Sequence, residues 1–171
     1  NLIIRNNLIQ DVELAGIQFA TWIWNAGDNN GWRGGHNITV ENNVIDGANR
    51  FGISTYTYDS LYQDNIIRNI GLIKNLGKGG MGCGINEGGG TCTRDGNGIR
   101  IPIDNPTFSA HNNVFRYNRL ERIAHSGIAI FGANNTIEYN VIREAGHAKG
   151  DNGAILTFGN NGFAQTNVHD I

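Results

Sequence analysis

The chain has 171 residues, a formal net charge of −2 and 39% hydrophobic residues. It has no basic run to mark a nucleic-acid partner, and no stretch approaches the roughly 20 apolar residues of a membrane-spanning helix. Its length suits one domain, and 25 glycines against two prolines suit many tight corners.

Taken in chain order, the first predicted unit passes through Ile4, Asn7 and Ile9 to the pair Gly16-Ile17. The same pattern returns as Val40, Asn43, Ile45 and Gly52-Ile53, then as Tyr62, Asn65, Ile67 and Gly98-Ile99. It recurs as Phe115, Asn118, Leu120 and Gly127-Ile128, and finally as Ile137, Asn140, Ile142 and Ala154-Ile155. Asn43 to Asn65 and Asn118 to Asn140 are each 22 residues, which is the base period. A fixed period of this kind predicts a solenoid whose equivalent residues stack in columns. Alternation in Ile99-Ile101-Ile103 and Ile128-Ile130 predicts strands. No segment reads as a long amphipathic helix.

Two further columns test the alignment. Two residues before each Asn stand Arg5, Glu41, Gln63, Arg116 and Glu138; three after stand Gln10, Asp46, Arg68, Glu121 and Arg143. Strands stacked about 4.8 Å apart would set opposite charges beside one another in these columns. Asp46, Glu121 and Glu138 are therefore expected to be ladder partners.

Excess over the shortest unit locates the insertions. Fourteen extra residues follow Gly16, twenty-four follow Asn65, seven follow Gly98 and five follow Asn140. Insertions leave a solenoid as loops and tend to build its binding face. The first holds Trp22, Trp24 and Trp32 among Asp28, Asn29, Asn30 and Arg33. Indole faces suit the C–H faces of sugars, and they equally suit folding the loop onto the coil. The second holds the only cysteines, Cys83 and Cys92, flanking a glycine-rich run. A disulfide there is expected, and with it an extracellular, secreted or cell-surface location. Two cysteines without nearby histidines fall short of a zinc set.

The same insertion ends at Asp95-Gly-Asn-Gly-Ile-Arg100, where Arg100 has the parity to leave the core. The last insertion carries His147 and Asp151. Alignment of Ala154 with Gly127 sets Asp151 and Asn152 over Ala124 and His125. Asp151, His125 and His147 are thus expected at one corner, with Asp95 two coils away. Carboxylates one coil apart would be about 5 Å from each other, the retaining-glycosidase spacing, and two coils apart about 9.6 Å, near the inverting limit. A histidine beside a carboxylate suits proton transfer. Asp151-Asn-Gly is also an ordinary turn sequence.

The whole pattern resembles right-handed parallel β-helices of the pectate-lyase-like kind, in which buried asparagines form a ladder. That resemblance implies an all-β parallel β-helix of about five to six coils covering residues 1–171. The chain starts inside a coil, and its last residues, Thr166–Ile171, look like the start of another. A single β-helix segment of a longer protein is therefore expected. The stretch from Asn135 through Ile137-Glu-Tyr-Asn140 to Asp151-Asn-Gly-Ala-Ile155, with His125-Ser-Gly-Ile128 before it, is similar to β-helical glycoside hydrolases of the fucosidase and xylanase type. That similarity implies Asp151 as an active-site acid, with hydrolysis of a polysaccharide or other glycan as the activity. A polysaccharide lyase using Arg100, Arg143 or Lys149 on a uronate is the nearest alternative, and a non-catalytic adhesin or fibre segment is another. No cofactor is expected: Asp95-Gly-Asn97 is the sole calcium-type hint, without a dense acidic cluster. The sequence leaves the oligomeric state open.

Overall fold

The computed structural model describes residues 1–19, 35–72, 95–101, 110–146, 148 and 152–157, and among them every regular element is a strand. Fifteen of the strands form three five-stranded sheets, and each of the five coils contributes one strand to each sheet. Sheet A holds β1 (Leu2–Arg5), β5 (Ile38–Glu41), β9 (Leu61–Gln63), β12 (Val114–Arg116) and β15 (Thr136–Glu138). Sheet B holds β2 (Leu8–Val12), β6 (Val44–Ala48), β10 (Ile66–Ile70), β13 (Arg119–Ile123) and β16 (Val141–Ala145). Sheet C holds β3 (Ala15–Phe19), β7 (Phe51–Thr55), β11 (Asn97–Arg100), β14 (Ile128–Ile130) and β17 (Ile155–Thr157). A short pair, β4 (Gly35–His36) with β8 (Thr57–Tyr58), lies between sheets C and A. All pairings are parallel, so the chain is an all-β parallel β-helix.

The register is the one the repeat predicts. Ile9, Ile45, Ile67, Leu120 and Ile142 stack in sheet B, and Ile4, Val40, Tyr62, Phe115 and Ile137 in sheet A. Ile17, Ile53, Ile99, Ile128 and Ile155 stack in sheet C. Alternation turns these side chains inward, and most of them are fully buried in one core.

The asparagine ladder runs the length of the described coils. Asn43 donates through Nδ2 to Asn65 Oδ1 and to the carbonyl of Ile4, both at 3.0 Å. Its Oδ1 accepts from Asn7 Nδ2 at 2.8 Å and the Asn7 backbone N–H at 3.1 Å. All four hydrogen-bonding positions of a buried amide are thereby used. The pattern repeats from Asn65 to Asn118 and from Asn118 to Asn140.

Glycine before the sheet C isoleucine has a steric cause. A Cβ on Gly52 would lie 2.4 Å from Ile67 Cγ2 and 2.5 Å from the Gly98 carbonyl oxygen. The coils meet too closely there for any larger side chain.

Each coil bends at left-handed residues, which also fall into columns. Asn6, Asn42, Asp64, Tyr117 and Tyr139, one before each ladder asparagine, have φ between 53° and 58°. Asn37, Asp59, Asn112 and Asn134, six before the ladder, have φ between 49° and 55°. Asn and Asp tolerate this conformation, whereas tyrosine is uncommon in it.

The charged columns pair in part as expected. Arg68 bridges Asp46 at 2.9 Å and Arg5 reaches Glu41 at 4.0 Å. Glu121 instead binds Arg119, two residues earlier on its own strand, at 2.6 Å. Residues two apart point to the same side of a strand, so Arg119 reaches Glu121 without crossing to a neighbouring coil.

Candidate functional site

Two places in the described coils combine polar chemistry with a shaped environment. The first is the corner between sheets B and C, where the sequence places Asp95 and His125. Asp95 is buried, its side chain only 3% exposed. Its Oδ2 accepts from Arg50 Nε at 2.8 Å and its Oδ1 faces Arg100 Nη1 at 3.3 Å. Both guanidinium carbons sit 5.0 Å from the centre of the Phe51 ring. Arginine stacks well on an aromatic face while its planar fork binds a carboxylate, which explains the grouping of these four side chains. Both carboxylate oxygens being engaged suits a clamp that fixes the corner.

His125 lies one coil further along, its backbone N–H donating to the Gly96 carbonyl at 3.0 Å. The ring is buried, with Nδ1 2.9 Å from Asn97 Oδ1 and 3.1 Å from Ser126 Oγ. Pairing with an amide carbonyl makes Nδ1 the donor. Asp95, Arg100 and His125 are thus gathered at one edge of sheet C. Ile128 pairs with Ile155, so Ala154 stacks on Gly127 as the alignment required. His147 and Asp151 lie outside the described residues, as do Trp22, Trp24, Trp32, Cys83 and Cys92. Among the described residues no cluster of His, Cys, Asp or Glu is arranged to hold a metal, and no helix is long and apolar enough to cross a membrane.

The second place is the outer face of sheet A. A groove of about 600 Å³ opens there, with Ile3, Thr39, Leu61 and Val114 on its floor. These four are in strand register, one from each of four coils, so the floor runs along the axis for about 14 Å. Asn37, Asp59 and Asn112 form one wall, at the left-handed column that also bends the chain. Asn112 Nδ2 donates to Asp59 Oδ1 at 2.9 Å. Arg116 lines the opposite side and donates twice to Gln63 Oε1, at 3.0 and 3.1 Å. Gln63 in turn donates to Glu41 at 2.9 Å, so the row is tied together across coils.

The residues directly before Asn37, Asp59 and Asn112 form a stack of rings. His36 and Tyr58 lie 5.1 Å apart, and Tyr58 and His111 5.2 Å apart, with planes within 25° of parallel. All three sit seven residues before a ladder asparagine. Continuing the column comparison to that offset would have shown them in the sequence. The groove itself had no such signal, because an outward-facing aliphatic row interrupted by Thr39 carries no mark of concavity.

Compared with protein-family models, curated proteins and solved structures, the chain matches none.

Proposed function

We propose that this chain is a carbohydrate-engaging segment of an extracellular β-helix protein, holding a glycan along the outer face of sheet A. The observation that carries the reading is the groove, which runs parallel to the axis and mixes an apolar floor with amide and hydroxyl groups on its edges. Sugars present apolar C–H patches alternating with hydroxyls, and such a surface meets both. An extended polymer also suits a floor that repeats once per coil. The face carries Arg5 and Arg116 against Glu41, Asp59 and Glu138, so carboxylates outnumber cations. That balance favours an uncharged glycan over a uronate and weighs against the lyase alternative.

Hydrolysis is the second reading, with Asp151 as acid and with His125 and Asp95 as the groups that the repeat alignment would set one and two coils from it. The pairing of Ile155 with Ile128 supports the alignment from which that reading starts. The clamp on Asp95 makes it a positioning group in this reading, which leaves Asp151 as the acid to test. Incubation with a polysaccharide panel separates the possibilities. Binding with new reducing ends supports a hydrolase, ultraviolet-absorbing unsaturated ends a lyase, and binding alone a recognition segment. In a hydrolase, Asp151→Asn should cut turnover at least ~10²-fold. Leu61→Asp should abolish binding if the groove is the site, and unchanged binding would place the glycan elsewhere. Mass shift on alkylation without reductant tests the Cys83–Cys92 bond, and two free thiols would remove the main argument for export.

A further inference from the structure

We infer that the stacked pair Tyr117 and Tyr139 is a sugar-binding platform that extends the sheet A groove onto the next coil. The inference rests on the glycan-binding reading above and names a subsite that the groove floor does not contain. Three observations carry it. First, the two rings lie 5.2 Å apart and within 8° of parallel, yet the residues are 52% and 70% exposed. Second, both occupy the left-handed backbone region, at φ 55° and 53°. The same column holds Asn6, Asn42 and Asp64 in the preceding coils, which are the residue types that conformation favours. Exposing two aromatic rings and holding them in a disfavoured backbone state both cost stability, and a ring contact between coils offsets only part of that. Third, Arg116 joins the pair to the groove: it lines the groove, and its guanidinium carbon lies 5.8 Å from the centre of the Tyr117 ring.

The row Ile3, Thr39, Leu61 and Val114 continues at Thr136 in the fifth coil, and the platform stands three residues further along the chain in the fourth and fifth coils. A glycan filling the groove would leave its floor beside Arg116 and meet the exposed parts of the two phenols. Their rings would cover C–H faces, and their hydroxyls would bond sugar hydroxyls. The occupant is an uncharged oligosaccharide longer than the groove floor.

The test uses substitutions that the backbone should welcome. Tyr117→Asn and Tyr139→Asn restore the residue type found at Asn6 and Asn42, so neither should unfold the protein. Binding of the whole chain to neutral gluco-, xylo- and mannohexaose, and to the matching trisaccharides, is measured by calorimetry. Unfolding midpoints are measured alongside. The double variant is expected to bind the preferred hexasaccharide about tenfold more weakly and the trisaccharide unchanged. Its unfolding midpoint should be equal or higher. Tyr139→Phe should keep most of the affinity, because the ring remains. Hexasaccharide affinity unchanged in the double variant overturns the inference, while loss of binding in Leu61→Asp would still uphold the groove. A lower midpoint with parallel loss for both oligosaccharides would mark the pair as a structural stack and overturn it too. No binding of any hexasaccharide by the wild-type chain overturns the groove reading, and this inference with it.

Discussion

Asn65 and Asn118 are joined twice across one coil spacing: Asn118 Oδ1 accepts from the Asn65 side chain at 3.0 Å and from its backbone N–H at 3.1 Å. Asn118 then donates to Asn140 Oδ1 at 3.0 Å and to the carbonyl of Tyr62 at 2.9 Å. Replacing it removes partners on both sides at once. Asn118→Leu is expected to destabilise the chain by about 1–3 kcal/mol, because buried donors and acceptors are left unmade. Urea unfolding of the two proteins measures the difference, and an unchanged midpoint would show the ladder to be dispensable.

Gly98 tests the close approach of the coils. A Cβ there would lie 2.5 Å from Leu120 Cδ2 and 2.6 Å from the Gly127 carbonyl oxygen. Gly98→Ala should cost about 1–3 kcal/mol through overpacking. Adding Leu120→Ala should recover little, since the backbone oxygen cannot be trimmed. Full recovery in the double variant would locate the clash at the side chain alone.

The Asp95 clamp predicts a large effect from a small change. Asp95→Asn keeps the size and leaves Arg50 and Arg100 sharing a buried, uncharged partner. Breaking a buried pair in this way should cost about 3 kcal/mol. Arg50→Met together with Asp95→Asn should cost less than the two single changes added, as expected for groups in contact. Additive losses in a double-mutant cycle would mean that the observed bond contributes nothing.

Stability should fall at both ends of the pH scale for separate reasons. The Asp46 carboxyl is held below its ordinary range, first by the amide of Asn69 and then by Arg68. A depressed carboxylate pKa contributes stability above its unfolded value, and that contribution disappears as pH falls below about 4. Asp46→Asn should therefore be weaker than wild type at neutral pH and match it in acid. The Tyr62 hydroxyl is buried beside Thr55 and Thr57, and burial pushes it up to about 12. A raised phenol pKa contributes stability that is present below about 10 and is lost through about 12. Tyr62→Phe, which copies Phe115 in the same column, should flatten the alkaline limb. Thermal melts across pH read both limbs, and an alkaline limb unchanged by Tyr62→Phe would assign it to another group.

What the sequence by itself determined is the register. Parallel strands stacked without offset put equivalent residues of successive coils in contact, so each buried column must repeat one chemistry: amide on amide at Asn43 and Asn65, isoleucine on isoleucine at Ile45 and Ile67. A 22-residue period is therefore legible without coordinates. Gathering Asp95 with His125 followed from the same arithmetic.

Only the tertiary structure decided what the side chains at that corner do, because their partners obey no period. Arg50 reaches Asp95 from 45 residues away, and Phe51 receives both guanidinium groups through packing that no column records. The groove on sheet A was equally silent, since a concave surface arises from how coils bend at Asn37, Asp59 and Asn112, which the residue types alone do not record. Tyr117 and Tyr139 break the local rule for their position: propensity alone would place Asn there. Their backbone conformation is that of the column they occupy, and only the folded chain shows that two exposed rings stack in that state.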